Sequence, residues 1–401
     1  MKILFVGGLF NEEQKKEIYK NSKTMPNMAA NVHQWNIIDG LQVHVDIINP
    51  IFVGNYPKEY KKLYIRRTKW CHKKGSLDIS PSTVNLFGVK QICRLFTLST
   101  EIRKWIKKSN KDDVVLIYSL NTSFLCALRL AQVCNRKVKT CVIVPDLPYF
   151  YINNKGKNAI YRGLKTIDWK LMVKMIKKID GFVLLTAQMK EMLQLGTKPF
   201  IVSEGVCSAE ERKTYKDISE KTISYTGTLD KEFGVLNLIE NFLKCAESDW
   251  ILNIAGGGNA KKEIEEYARK DKRIHFWGIL TNEKAKELQS QSRILVNPRS
   301  SQEEFTKYSF PSKTMEYLKS GRPVLMYRLS GIPKEYDSYL QYFKDTTPEA
   351  FQTGLIELMK KSNQELDEIG ERGKEFVLCK KNAAVQGEIL TDFLKKLALE
   401  I

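Results

Sequence analysis

Apolar residues in this chain follow two alternating patterns. Short runs rich in valine, isoleucine and leucine are closed by glycine, proline or polar residues. Between them lie longer stretches whose apolar positions recur every three or four residues. The first pattern predicts buried strands and the second amphipathic helices laid against them. Strands are predicted at Ile3–Val6, Val43–Ile48, Val114–Ser119, Lys139–Val144, Gly181–Leu185 and Pro199–Val202, with helices over Val89–Lys108 and Ser123–Asn135. The second half predicts strands at Thr222–Thr226, Trp250–Ala255, Ile274–Trp277, Ile294–Asn297 and Pro323–Met326. Its helices fall at Val235–Ala246, Lys261–Lys270, Asn282–Gln291, Ser312–Ser320 and Pro348–Ser362. Strand–helix alternation of this kind predicts an α/β protein with parallel sheets. The polar stretch Ser208–Lys221 lacks apolar periodicity and reads as a linker, which sets a boundary near residue 210. The last helical pattern, Asn382–Leu397, is expected to cross back onto the first domain. Two doubly wound sheets in tandem imply a cleft between their strand carboxyl ends, where ligands of such sheets bind. Several function classes share that architecture, so the fold alone does not choose among them.

Composition narrows the field. At 401 residues, 43% hydrophobic and 28% charged, the chain is globular and too long for one ordinary core. No run approaches the roughly 20 apolar residues that span a bilayer. The start, Met1 to Gly8, is too short in apolar residues for a signal peptide and reads as a cytoplasmic beginning. Eight cysteines without a CxxC pair read as buried free thiols, and with only four histidines no metal centre is expected. A formal charge of +19 calls for a polyanionic partner. Lys58, Lys61, Lys62, Arg66, Arg67, Lys69, Lys73 and Lys74 crowd one segment, with Glu59 as its only acid, and alternate with Tyr56, Tyr60, Tyr64 and Trp70. Cations among interfacial rings suit an anionic membrane surface. Single-stranded nucleic acid would suit them too, as would plain solvent. No nucleic-acid motif accompanies the charge, so nucleic acid is not an expected partner. A second basic stretch, from Lys155 to Lys178, has Ile160, Leu164, Ile167, Leu171 and Ile176 at helical spacing and predicts an amphipathic helix with a cationic face.

The segment richest in chemistry runs from Asn297-Pro298-Arg299 through Tyr308-Ser309-Phe310-Pro311-Ser312-Lys313-Thr314-Met315-Glu316 to Gly321-Arg322-Pro323. It reads as strand, loop, helix, turn, strand. Pro311 fits a first helical turn and Gly321 the left-handed position beyond a helix end. A helix start after such a loop offers free N–H groups to a diphosphate. Lys313 and Arg299 add full charge, Arg299 as a bidentate fork. The carboxylate of Glu316 can accept from two adjacent hydroxyls such as those of a ribose. An ordinary solvent-facing helix would show the same residues.

This wording resembles the donor-site signature of the family-4 glycosyltransferases, in the subset reading S-F-P-S-K-x-x-E-Y-x-x-x-G-x-P-V. The resemblance implies the GT-B fold, two doubly wound Rossmann-like domains facing across a cleft. They would be an acceptor-side domain at 1–210, a donor-binding domain at 211–380 and a returning helix at 381–401. It also implies a retaining, metal-independent enzyme with no cofactor beyond its nucleoside diphosphate sugar, acting on an acceptor hydroxyl. The basic, aromatic Tyr56–Lys74 segment adds the expectation of a peripheral membrane enzyme working on a saccharide or lipid-linked acceptor in cell-surface polysaccharide assembly. Glu316 matches the ribose-binding Glu of the family's E-x7-E motif; the first Glu of that motif falls on Tyr308. Ser224 to Leu229 with Phe233-Gly234-Val235 resembles the opening of the donor domain, where many members carry Arg and Lys. Thr228 and Phe233 stand there instead. Gly256-Gly257-Gly258 resembles the turn beside the nucleobase, and Gly278 lies next to the expected base pocket. The implied donor set is thus Gly227, Thr228, Gly257, Gly278, Tyr308, Ser309, Phe310, Ser312 and Glu316, with Lys313 and Arg299 carrying charge. On the acceptor side the resemblance points to Gly7 and Gly8, to Asn31 and His33 on the first helix, to Asp146 near the reacting sugar, and to Glu204. The losses at 228, 233 and 308 are also what a non-catalytic partner subunit of another transferase would show.

Overall fold

The computed structural model describes residues 1–24, 28–133, 138–147, 159–207, 218, 221–302 and 304–399. Most of the expected linker 208–221 lies outside these, as do Cys134, Pro148, Lys155, Lys157 and the side chain of Ile160. The chain divides into two units, Met1–Val206 with Ala383–Ile401, and Cys207–Asn382.

The first unit contains β1 (Lys2–Val6), α1 (Glu12–Asn21), α2 (Met28–Gly40), β2 (His44–Ile48), β3 (Tyr64–Ile65), β4 (Thr68–Trp70), β5 (Asp78–Ser80) and β6 (Thr83–Val84). There follow α3 (Val89–Ile106), β7 (Val114–Tyr118), α4 (Thr122–Gln132), β8 (Lys139–Val144), α5 (Ala159–Ile176), β9 (Gly181–Leu184), α6 (Met189–Met192) and β10 (Phe200–Val202). Its main sheet has the order β10-β9-β8-β7-β1-β2-β5-β4, parallel except where β4 meets β5. All five residues of β7 are buried, as expected for a strand covered on both faces. Leu390, Leu394 and Leu397 of the last helix, α13 (Ala383–Leu399), join Ile37 and Ile38 of α2 in the core under β1.

The second unit runs β11 (Thr222–Thr228), α7 (Val235–Cys245), β12 (Ile251–Gly257), α8 (Lys261–Lys270), β13 (Ile274–Phe276), α9 (Asn282–Gln291), β14 (Ile294–Asn297), α10 (Ser312–Lys319), β15 (Val324–Met326), β16 (Gln341–Tyr342), α11 (Pro348–Met359) and α12 (Asn363–Lys380). The sheet order is β13-β12-β11-β14-β15-β16, parallel throughout. Side-chain caps fix several helix starts: Asn11 accepts from Gln14 N, Thr281 from Lys284 N, and Ser362 forms a capping box with Glu365.

The apolar pattern did not predict α1, α12, the short strands β3 to β6, or β16. α1 is nearly all charge and amide, with only Gln14 and Ile18 buried. α12 carries Gly370 and Gly373, which lower helix propensity. A Cβ at Gly370 would lie 2.1 Å from the Gly321 carbonyl oxygen, so close packing on the turn after α10 demands that residue. Pro311 also differs from expectation: it is the N-cap of α10, and Ser312 is the first helical residue. Burial of free thiols holds for Cys141 and Cys207, whereas Cys71 and Cys379 are exposed.

Candidate active site

In the second unit the chain leaves β11 for β12 and β13 on one side, then returns to lay β14 on the other. The carboxyl ends of β11 and β14 therefore flank a topological switch point, where doubly wound sheets take their ligands. Gly227 and Thr228 end β11; Pro298 and Arg299 follow β14. Gly234 begins α7 at φ 79° with no side-chain cap, and a Cβ there would sit 2.3 Å from the Pro298 carbonyl oxygen. Glycine is thus needed twice over, for its left-handed backbone and for the approach of the β14 exit loop. That approach delivers Arg299 to the start of α7. Its guanidinium lies 5.0 Å from the Phe233 ring centre and 4.4 Å from that of Phe305. Its Nε is buried without a hydrogen-bond partner. Burial pulls the guanidinium pKa down, opposed by Tyr225. Position 233, where the resemblance led to the expectation of a cation, thus supplies a ring that supports an arginine arriving from another strand.

α10 likewise starts without a side-chain cap, so its first N–H groups lack intrahelical acceptors. Just before it, Ser309 Oγ is buried with no partner. Glu316 is held from two sides. Its Oε1 accepts from Gln289 Nε2 at 2.6 Å, and Lys313 Nζ reaches Oε1 and Oε2 at 2.8 and 2.9 Å. Lys313 is thus spent on the carboxylate rather than standing clear as a phosphate cation, which corrects its expected placement. Gln289, 1% exposed, also donates to Thr226 Oγ1 at 2.7 Å. The buried Tyr317 hydroxyl accepts from Thr226 N and donates to Thr226 O. These two residues lock α10 to the tip of β11. Tyr317 is the Tyr of the quoted signature, without a role assigned there, and nothing in the sequence marked Gln289, which looks like a surface residue of an amphipathic helix.

Phe310 is a correction as well. It is buried and packs on Tyr336 with ring centres 5.4 Å apart, so it anchors the loop instead of walling the donor. Tyr308 is half-buried in a short 3-10 turn. At the end of β12, Gly256 N donates to Gly278 O at 2.8 Å. Gly257 lies against Ile279, and the exposed Trp277 is steadied by a bond from Nε1 to Asn253 Oδ1. Gly257 and Gly278 therefore share one apolar ledge, whose exposed side chains are Trp277 and Ile279; no pattern in the sequence marks them as such. Lys231, another basic residue of this loop, pairs with Glu263.

In the first unit the switch point falls between β1 and β7. Gly7 and Gly8 follow β1, roofed by Gln34 and Phe52, whose atoms occupy the space a Cβ would need. Asn31 is 5% exposed and spends its Oδ1 on Phe10 N at 2.7 Å, so it holds the loop after β1 and is not placed as an acceptor contact. His33 Nδ1 lies 2.9 Å from Tyr118 Oη at the end of β7. Burial lowers the His33 pKa to about 4, so the ring is neutral at pH 7. Burial raises the Tyr118 phenol pKa, and Asp146 adds to it. Ser119, next in the chain, has φ 77°, a strained value for a residue with a side chain. Asp146 is exposed beyond the end of β8, whereas Glu204 is buried. His33, Tyr118 and Asp146 thus gather at this switch point, while Asn31 and Glu204 are turned to internal use or depth.

Residues 220–361 match the family model described as Glycosyl transferases group 1. No curated protein matches the chain in sequence. Solved structures do match in fold. Trehalose-6-phosphate synthase OtsA is similar at 9% identity and a TM-score of 0.67, over 99% of each chain. Sucrose-phosphate synthase from Thermosynechococcus elongatus is similar at 12% identity and TM-score 0.60, over 98% of this chain and 99% of that one. The pneumococcal O-GlcNAc transferase GtfA, in complex with UDP and GlcNAc, is similar at 10% identity and TM-score 0.57, over 100% and 99%. The chain has the GT-B glycosyltransferase fold, and within its second unit residues 220–361 are similar to the Glycosyl transferases group 1 family.

Proposed function

We propose that the chain transfers a glycosyl unit from a nucleoside diphosphate sugar to an acceptor hydroxyl, with retention and without a metal or other cofactor. The observation that carries this is the β11–β14 switch point. There an unsatisfied Arg299 Nε and the uncapped start of α7 meet, while Glu316 is pinned by Gln289 and Lys313 beside the uncapped start of α10. Charge developing on the leaving diphosphate would be met by Arg299 and the helix N-termini, which are already oriented. Glu316 uses three of its roughly four acceptor positions, and Oε2 keeps room for a ribose hydroxyl. Trp277 and Ile279 offer the base an apolar surface. On the acceptor side, Asp146 would orient the incoming hydroxyl, next to the neutral His33–Tyr118 pair. The UDP held by the pneumococcal relative makes a uridine nucleotide the first donor to try.

We further assign the acceptor to the lipid-linked saccharides of cell-surface polysaccharide assembly, met at the cytoplasmic face of a membrane. Among the described residues no helix is long and apolar enough to cross a bilayer, so contact would be peripheral. The support is the exposed cations of Tyr56–Lys74. Tyr60 and Trp70 of that segment are taken up by the unit itself, Tyr60 buried and Trp70 donating to Ser80 Oγ, which leaves Tyr64 as its exposed ring.

The test is hydrolysis and transfer across a panel of nucleotide sugars, with nucleotide binding measured in parallel. Glu316→Ala is expected to weaken nucleotide binding about ten- to a hundredfold, the scale of one lost charged hydrogen-bond acceptor. Lys313→Ala should lower turnover through the mispositioned carboxylate. Normal transfer by both variants would overturn the site. A wild type that binds no nucleotide sugar of the panel would make the chain a non-catalytic partner subunit.

A further inference from the structure

We propose that one face of the first unit, built on β3, β6 and the outer side of α3, docks on an anionic lipid bilayer. This deepens the membrane part of the proposed function and rests on that part alone; the donor chemistry is not needed for it. Phe87, Ile92 and Phe96 are 82%, 61% and 60% exposed, and Leu63, Tyr64 and Leu86 are exposed beside them. They form one patch. Tyr64 pairs with Val84 across the β3–β6 ribbon, and Asn85 N donates to Leu63 O at 2.6 Å. The next two residues are Leu86 and Phe87, which lead through Gly88 into α3. Ile92 and Phe96 are four apart and share one side of that helix. Leu98, Ile102 and Ile106 face the other way and are buried. Among the described residues, nothing therefore covers this second apolar stripe.

The charge around the patch selects its occupant. Lys58, Lys61, Lys62 and Arg66 are exposed along the β3 arm. Lys62 pairs with Glu17 of α1, which leaves the others in excess. The nearby acids are already engaged: Glu59 accepts from Asn55 N, and Glu101 binds Arg67 and Lys104. A patch of rings and aliphatic groups beside cations matches the headgroup region, where apolar side chains enter and lysines meet lipid phosphate. α5 repeats the pattern: Leu164, Ile167 and Leu171 lie exposed on one side, flanked by the exposed Lys170 and Lys174. A soluble partner would ask for complementary acids and a contoured surface; a bilayer asks only for this composition.

The experiment is cosedimentation of the full chain with vesicles of equal parts phosphatidylcholine and phosphatidylglycerol, against phosphatidylcholine alone. The wild type is expected to bind the anionic vesicles and to be released by salt. Phe87→Ser with Ile92→Ser should weaken binding about tenfold or more, as should Lys61→Glu with Arg66→Glu. Both variants change exposed positions, so an unchanged thermal melt will show that they fold. No wild-type binding at low salt overturns the proposal, as does binding that both variants leave untouched. Dissociation of a dimer by the Phe87 and Ile92 substitutions, without vesicle binding, would reassign the patch to a second copy of the chain. Nucleotide-sugar hydrolysis measured on the same samples separates the two readings, because docking can hold where hydrolysis fails.

Discussion

The two units wind their sheets the same way and place a switch point between an early strand and the first strand laid on its other side, yet the two points differ in chemistry. At β11–β14 the residues gather charge and dipoles: Arg299 with a buried, unsatisfied Nε, two helix starts without side-chain caps, and a carboxylate gripped by an amide and an ammonium. At β1–β7 the buried groups are neutral. His33 is held uncharged against Tyr118, and the glycines after β1 are roofed by Gln34 and Phe52. The wound sheet supplies a place for a ligand, and the side chains at the strand ends decide its charge. Under the proposed function, the first would hold a polyanion and the second hydroxyls.

The largest effect is expected at the charge that distinguishes the two points. Arg299→Met keeps the packing on Phe233 and Phe305 and removes the guanidinium that rests beside the start of α7. Turnover should fall about 10²- to 10³-fold, the cost of one lost transition-state donor, with stability little changed. Phe233→Lys in the Arg299→Met background should restore part of the rate by returning a cation to the loop that leads into α7. Equal activity in Arg299→Met and wild type would erase the contrast between the switch points. Failure of the rescue alone would confine the role to arginine's fork geometry.

The first unit gives the matching test through protons. Its His33 pKa of about 4 lies below the ordinary 6.5 because burial disfavours the imidazolium. Between these values the unfolded chain takes up a proton that the folded chain refuses. Stability is therefore whole above pH 6.5 and lost as pH falls towards 4, by at most about 3 kcal/mol. Urea unfolding at pH 7, 5 and 4 should show a smaller acid loss for His33→Gln than for wild type. Parallel losses would mean that His33 titrates normally and that its switch point is not closed to charge.

How far the sequence reached follows from which forces it displays. Most of the main-sheet strands were legible because an all-apolar run of β-branched residues has few other uses. The exit loop of β14 and the start of α10 were legible through Pro298, Pro311 and Gly321, whose backbone demands are local. Three kinds of feature were hidden. α12 was masked by glycines required at a contact with Gly321, remote in sequence. Gln289 carries no pattern of its own, and Tyr317 stands in the signature without its role, since the importance of both is the identity of a distant partner. The side-chain pairings that redirected Lys313 to Glu316, Asn31 to Phe10 and Phe310 to Tyr336 are tertiary in the same sense. Arg299 shows both sides at once. Its residue type and place suggested a phosphate ligand, but only the fold shows it resting on Phe233.

The smallest effect sharpens the comparison most finely, because a buried glutamine stands at each switch point. Gln289 donates to Thr226 Oγ1 and to Glu316 Oε1. Gln34 donates only to Ala30 O of its own helix, and its Oε1 has no partner. Gln289→Leu removes a donor shared by a buried hydroxyl and a carboxylate, leaving both short of a partner at about 1–3 kcal/mol. Gln34→Leu removes one local bond and one unsatisfied oxygen, so its change should stay within about 1 kcal/mol and could fall on the stabilising side. Nucleotide affinity should drop severalfold in Gln289→Leu, since Glu316 then hangs on Lys313 alone, and should not move in Gln34→Leu. Chemical denaturation and nucleotide titration of the two variants read both quantities. Equal costs would show that the Gln289 bridge is packing like any other. Unequal costs would place the difference between the switch points in their hydrogen bonds, since the two glutamines are alike in size and burial.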